Sequence, residues 1–176
     1  IYKLVKWLYL LKHDNNANFY QYVNFINLYP NYPRPGRLRY LAEHKITSQT
    51  VKEKRIIQWF DGKEPLSGYG KLMLGQSYLM EGNNEKGISL IKDGWTTAKL
   101  SKKDLKYFKK KLKKFLNTKD HIKRAKWLAW ENKFWDLQRM LRYLPKDYQA
   151  LYNARLFLMS NSYGVDNAIK KVPSKF

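Results

Sequence analysis

The chain has 176 residues, 44% of them hydrophobic, which allows one domain with a sizeable core or a short helical array and excludes a disordered composition. Its formal net charge is +21, from 35 Lys and Arg against 14 Asp and Glu, so it attracts polyanions or anionic surfaces. There is no cysteine, which excludes disulfides and Cys-ligated zinc. Because lysine supplies most of the charge, a compositional origin of that charge stays open beside a functional one.

The predicted elements are short helices separated by turns. Residues 1–12 are apolar but interrupted by Lys3 and Lys6, so they predict an amphipathic helix rather than a signal peptide or a membrane span. Residues 19–29 place apolar side chains on one face, and Pro30 ends this second helix.

Two pairs of residues further along the chain resemble capping boxes. Thr50 with Glu53 predicts the start of one helix, and Ser101 with Asp104 predicts the start of another. The same alternation of apolar stripe and turn continues to the end of the sequence. It predicts about eleven short helices, and no segment shows the two-residue alternation of a strand.

Three glycines interrupt the segment KLMLGQSYLMEGNNEKGISLIKDGW, which otherwise reads as two helices. Glycine costs a helix interior about 1 kcal/mol relative to alanine, so close packing is the reason to place it there. Leu-Gly at residues 74–75, Tyr78, Gly87, Ile91 and Gly94 follow the tetratricopeptide pattern, in which small residues let two helices approach. The predicted fold is all-α: a right-handed α-superhelix, or solenoid, of degenerate tetratricopeptide-like antiparallel pairs, forming one domain over residues 1–176.

Residues able to carry catalysis or bind a metal are scarce. The three histidines, His13, His44 and His121, have no metal-ligand spacing, and His13 and His44 are predicted at the surface or at helix ends. No pair of carboxylates is singled out by its local context, as glycoside hydrolysis would require. No catalytic residue, metal site or cofactor is therefore predicted. The lysine-rich helix over residues 102–114 could follow a phosphate backbone, but a solvated outer face is favoured.

Several segments follow a common pattern in the same order from Phe19 to Phe157. FYQYVNFINLYPNYP matches an F-x-x-F-x-x-x-P-x-W-P opening, with Tyr32 where Trp is usual. IIQWFDGKEPLSGYGKLMLGQSYLMEGN matches a W-F…P…G…L…G segment, and IKDGW matches I-R-x-x-W. FLNTKDHIKRAKWLAWENKFWDLQRMLRYLP matches a D-H-x-x-R…W…A-x-R-x-L stretch from Asp120 onward, and ALYNARLFL matches the A-R segment that follows it. Together these segments resemble the helical region of soluble lytic murein transglycosylases.

The resemblance implies a non-catalytic, superhelical domain that holds peptidoglycan or partners near a lysozyme-like catalytic domain. That family's active enzymes carry a Glu-Ser dipeptide and a G-L-M-Q motif, and this sequence has neither. We therefore expect a fragment without its signal peptide and C-terminal catalytic domain. The parent is expected to be periplasmic and to cleave MurNAc–GlcNAc bonds to 1,6-anhydro products, without a cofactor.

The glycine pattern and the resemblance together assign structural roles to eight residues. His121 and Arg124, one helical turn apart, are expected to hydrogen-bond or cap neighbouring helices. The eight residues are Trp59, Gly75, Tyr78, Gly87, Trp95, His121, Arg124 and Arg155.

Two other functions remain open. The first is a tetratricopeptide-like adaptor that binds a protein or a peptide. The second, supported only by charge, is a helical repeat that binds nucleic acid. A specific nucleic-acid partner is not expected.

Overall fold

The structure, a computed structural model, describes residues 1–12 and 14–176, and over these residues it contains helices and no strand. The all-α prediction is therefore confirmed for the described residues. His13, predicted at the surface or at a helix end, lies outside them. The helices are α1 (Tyr2–Leu11), α2 (Phe19–Leu28), α3 (Pro35–Glu43), α4 (Glu53–Phe60), α5 (Gly68–Met80), α6 (Asn84–Thr97), α7 (Lys102–Lys111), α8 (Thr118–Trp130), α9 (Phe134–Met140), a 3-10 turn (Leu141–Tyr143), α10 (Lys146–Met159) and α11 (Val165–Lys170).

The chain divides into two compact units, Ile1–Gly94 and Trp95–Phe176, and the boundary falls inside α6. In the first unit α2 packs against α3, α1 packs against α3, and α4 packs against α5. In the second unit α8 packs against α9 and α10, and α10 also packs against α9 and α11. Each unit buries its own apolar side chains. The single domain over residues 1–176 stays a prediction.

Reciprocal capping pairs that start with asparagine begin α2 and α8. The Asn18 side chain accepts a hydrogen bond from the Gln21 amide, and the Gln21 side chain accepts one from the Asn18 amide, at the start of α2. Asn117 and Asp120 form the same reciprocal pair at the start of α8. These pairs satisfy amide groups that have no partner inside the helix, so they fix where each helix begins.

Two helix starts were predicted from capping boxes. The start at Ser101 is confirmed, and the start at Thr50 is wrong. Ser101 is the N-cap of α7, where its Oγ accepts a hydrogen bond from the Asp104 amide. Thr50 caps nothing, because its hydroxyl lies 2.7 Å from the hydroxyl of Thr47 in the preceding turn. Helix α4 consequently begins at Glu53 without a side-chain cap.

The helices α5 and α6 form an antiparallel pair. Glycines at their interface let the two helices approach so closely that no room remains for a side chain at those positions. A Cβ at Gly75 would lie 2.9 Å from the carbonyl oxygen of Gly87, and a Cβ at Gly94 would lie 2.7 Å from that of Gly68. Real Cβ atoms essentially never approach so closely. The two backbones are therefore in direct contact, which explains glycine at helical positions where it is otherwise unfavourable.

Candidate functional site

A groove in the second unit lies between the first turns of α7 and the segment formed by α9 and the 3-10 turn. It has a volume of about 660 Å³. Helix α7 is amphipathic: Leu105 and Phe108 are buried, whereas Lys102 and Lys106 are exposed. Its apolar stripe therefore fixes Lys102 and Lys106 at the rim of the groove.

The charge on the groove is uniformly positive. Four of its lining side chains are cationic, namely Lys102, Lys106, Arg139 and Arg142, and none of the described residues that line it is acidic. Within the described chain, Lys102, Lys106 and Arg142 form no ion pair. Arg139 is different, because its Nη2 lies 2.5 Å from Oδ1 of Asp136. Three uncompensated cations therefore remain to attract an anion.

Aromatic side chains share the groove with these cations. Trp135 is 67% exposed, and Tyr143 forms part of the wall. The Lys109 Nζ lies 3.4 Å from the centre of the Tyr143 ring. Burial lowers the pKa of Lys109, and the positive charges of Arg142 and Lys113 lower it further. The groove thus offers both charge and flat apolar surface to a ligand.

Behind Tyr143 lies a cluster of aromatic rings, in edge-on and tilted contacts, together with the buried cation of Arg124. The His121 and Tyr143 ring centres are 6.1 Å apart, and the His121 and Trp95 ring centres are 5.5 Å apart. The Arg124 guanidinium lies 5.2 Å from the Trp95 ring centre, and its Nη1 donates a hydrogen bond of 2.5 Å to the Trp95 carbonyl oxygen. This cluster, formed by Tyr143, His121, Trp95 and Arg124, is called the ring cluster below.

The ring cluster and the nearby Arg139 contain buried nitrogen atoms without a hydrogen-bond partner. Among the described residues, Trp95 Nε1, His121 Nδ1, Arg124 Nε and Arg139 Nε are buried and have no hydrogen-bond partner. Burial lowers the pKa of Arg124 to about 10, although the negative charge of Asp136 opposes that change. Burial also lowers the pKa of His121, with Lys109 acting in the same direction. The region behind the groove is therefore rich in positive charge and poor in acceptors.

The predicted structural residues fall into two groups. The structure brings Trp95, His121 and Arg124 together in the ring cluster. Arg124 donates a hydrogen bond to the Trp95 carbonyl oxygen in α6, whereas His121 contacts aromatic rings and its Nδ1 bonds to no described residue.

The other five lie apart from the groove. Trp59 is half-buried against Phe19, with ring centres 5.1 Å apart, and Gly75 and Gly87 lie between α5 and α6. Tyr78 lines a small cavity in the first unit. Arg155 is exposed beside an apolar cup in the second unit, whose aromatic lining includes Trp130 and Tyr148.

One buried carboxyl group was missed at the sequence level. Glu43 is 0% exposed, and it accepts hydrogen bonds from the amides of Leu66 and Ser67 and from the Ser67 hydroxyl, all at the start of α5. Burial raises its pKa, which these hydrogen bonds oppose. Since both oxygens are bonded and enclosed, Glu43 ties α3 to α5 and cannot reach a substrate. Nothing in the segment RLRYLAEHKI indicates this burial, because glutamate is usually exposed.

The groove was also missed as a site. The lysine-rich composition of α7 was visible, but Trp135 and Arg142 come from a different part of the chain. Only the packing of the second unit brings them beside α7.

The chain matches no protein-family model, no curated protein and no solved structure. Within residues 1–12 and 14–176, no three or more His, Asp or Glu side chains gather where they could hold a metal ion. No helix in this described part combines the length and the apolar character needed to cross a bilayer.

Proposed function

We propose that this chain is a non-catalytic peptidoglycan-binding and scaffolding domain of a soluble lytic murein transglycosylase. The observation that carries the proposal is the basic, aromatic groove between α7 and α9. Peptidoglycan combines carboxylate-bearing peptides with sugar rings, so it offers both kinds of group that this groove can bind. The sequence resemblance from Phe19 to Phe157 to the helical region of soluble lytic murein transglycosylases supports the same proposal.

The proposal includes the finer architecture and the location of the protein. The antiparallel pair α5–α6, with its glycine contacts, is the kind of unit that a tetratricopeptide-like α-superhelix would repeat. Such a domain would hold the cell-wall polymer in the periplasm while a catalytic domain cleaves it. The partners proposed are therefore peptidoglycan and the catalytic domain itself.

Sedimentation with insoluble peptidoglycan tests this function. The protein is mixed with purified sacculi at about 150 mM salt, where interactions between exposed charges farther apart than ~8 Å are largely screened. We expect it to pellet with sacculi and to remain in solution with insoluble chitin, which has the sugar rings but no peptide carboxylates. Protein that stays in the supernatant with sacculi would contradict the proposal.

A second candidate is a tetratricopeptide-like adaptor that binds a protein or peptide. The apolar cup between α8 and α10 favours it, because Trp130 is 77% exposed there beside Tyr148 and Tyr152. Exposed tryptophan and tyrosine are enriched where proteins bind one another. Replacing Trp130 with Ala should leave pelleting with sacculi unchanged if the first proposal is correct.

A further inference from the structure

The groove between α7 and α9 has the dimensions of a site for one short segment of a ligand. Its volume of about 660 Å³ lies within the range of small-molecule pockets, roughly 300–1,000 Å³. A long polymer that was bound along its whole backbone would instead need cations spaced in a continuous track. The groove concentrates its charge at one place, so it fits a compact, multiply charged group.

The cations differ in what they can contribute. Arg142 presents a planar guanidinium that can bind a carboxylate through two parallel hydrogen bonds, whereas Lys102 and Lys106 act as compact positive charges. The Arg142 Nε already donates to the Arg139 carbonyl oxygen at 3.3 Å, which limits the rotation of its side chain. A ligand with more than one carboxylate can therefore engage Arg142 and the two lysines together.

The neutral lining indicates a peptide rather than a bare ion. Gln138 offers an amide that can both donate to and accept from a peptide bond, and the exposed face of Trp135 offers apolar contact. An inorganic anion can accept a hydrogen bond from the Gln138 amide but makes no use of the apolar face of Trp135 or of the Gln138 carbonyl oxygen. A short peptide with several carboxylates uses both groups and the cations.

We infer that this groove is a binding site for a short, carboxylate-rich peptide, with Arg142, Lys102 and Lys106 as its anion ligands and Trp135 as its apolar contact. The inference rests on the proposed function, since the peptide that peptidoglycan supplies is its carboxylate-bearing stem. It assigns the peptide, and not the glycan, to this groove.

Calorimetric titration with three soluble probes tests the inference. The probes are the disaccharide tetrapeptide with free carboxylates, the same compound with its carboxylates amidated, and a neutral N-acetylglucosamine oligosaccharide. We expect the first to bind and the second to bind about tenfold or more weakly, because amidation removes the charge-assisted hydrogen bonds to the groove. The oligosaccharide should not bind in the groove. Equal affinity for the free and amidated compounds would overturn the inference.

Variants of α7 provide a matched comparison. Lys102→Gln/Lys106→Gln removes two charges from the groove, whereas Lys103→Gln/Lys110→Gln removes two exposed charges of the same helix that do not line it. Both variants change the net charge equally. We expect the first to weaken binding of the tetrapeptide about tenfold, because it removes two exposed ion pairs with the ligand, and the second to change it less than about twofold. Arg142→Gln should resemble the first variant. Equal effects of the two double variants would mean nonspecific attraction and overturn the inference.

The outcomes separate this inference from the proposed function. If the protein pellets with sacculi but the groove variants bind the tetrapeptide normally, peptidoglycan binding stands and the groove assignment fails. If the tetrapeptide binds in the groove but sacculi do not pellet the protein, the peptide site stands and the proposed function fails. If a short single-stranded DNA binds with the same dependence on Lys102 and Lys106 and displaces the tetrapeptide, the groove is a phosphate site and the inference is wrong.

Discussion

At the scale of single residues, Arg124 is the most unusual group in the molecule. It is 1% exposed, and no carboxylate among the described residues forms an ion pair with it. A buried charge is costly unless other groups compensate for its lost hydration. Here the compensation comes from the Trp95 carbonyl, the face of the Trp95 ring and the field of Asp136. Arg124 therefore holds α8 against the end of α6 by contacts that a lysine could not reproduce.

His121 shares this environment, which gives the folded protein a defined response to pH. Its pKa is lowered by burial and by the charges of Lys109 and Arg124, and Asp120 opposes them only in part. The unfolded chain, with a histidine pKa of about 6.5, then binds more protons than the folded chain as the pH falls below that value. Protonation at this position therefore favours the unfolded state.

We expect the free energy of unfolding to fall between about pH 7 and pH 5 more steeply for the natural protein than for His121→Phe, because only the natural side chain titrates there. Phenylalanine keeps a ring against Trp95 and Tyr143. Urea unfolding followed by circular dichroism at several pH values measures the difference, which cancels the contributions of the other histidines. Parallel pH profiles for the two proteins would show that His121 is not responsible.

At the scale of helices, the glycines of the α5–α6 pair reverse the usual effect of a substitution. Alanine in place of an exposed glycine inside a helix stabilises it by about 1 kcal/mol. At Gly94 the added methyl group would lie 2.7 Å from the Gly68 carbonyl oxygen and 2.8 Å from the Leu72 amide nitrogen. Both are backbone atoms, so relief requires the two helices to separate.

We expect Gly94→Ala to destabilise the protein by about 1–3 kcal/mol, the usual cost of overpacking. Gly36→Ala is the control, because Gly36 lies in the first turn of α3 with no heavy atom within 4 Å of the added carbon. That variant should be neutral or slightly stabilising. Thermal unfolding of both proteins measures the effects. A raised melting temperature for Gly94→Ala would show that the helices are not held in backbone contact there.

The sequence determines these helices better than it determines their exact starts. Apolar spacing was sufficient to predict the helices and the absence of strands, because each amphipathic stripe must face a core. The start of α4 was misjudged because Thr50 bonds to Thr47 instead of to a helix amide, and such local competition between side-chain partners is not visible in a spacing rule. The Asn18–Gln21 pair of α2 follows the same capping chemistry and could have been found.

At the scale of the whole molecule, the net charge is visible in the sequence but its grouping is not. The count of +21 predicts attraction to any polyanion. Which cations lack a partner depends on tertiary packing: Lys71 forms ion pairs with Glu64 and Asp93, whereas Lys102 and Lys106 form no ion pair within the described chain. Arg142 joins these two lysines only because the 3-10 turn lies opposite α7. A candidate site could therefore not be placed from composition alone.

Competition between peptidoglycan and DNA tests whether the charge acts through specific contacts. Binding without specific contacts is purely electrostatic. The affinity for DNA then falls steeply as the salt concentration rises, because each binding event releases counterions from the DNA. We expect random duplex DNA to bind at about 50 mM salt and to be largely released at about 150 mM, while sacculi retain the protein because hydrogen bonds and ring contacts persist when exposed charges are screened. Labelled DNA and sacculi are added together at both salt concentrations, and the protein in the pellet is measured.

Lys103→Gln/Lys110→Gln is the control, since it should weaken DNA binding without affecting retention by sacculi. If DNA removes the protein from sacculi at about 150 mM salt, nucleic-acid binding becomes the better explanation of the charge, and the cell-wall function loses its main support.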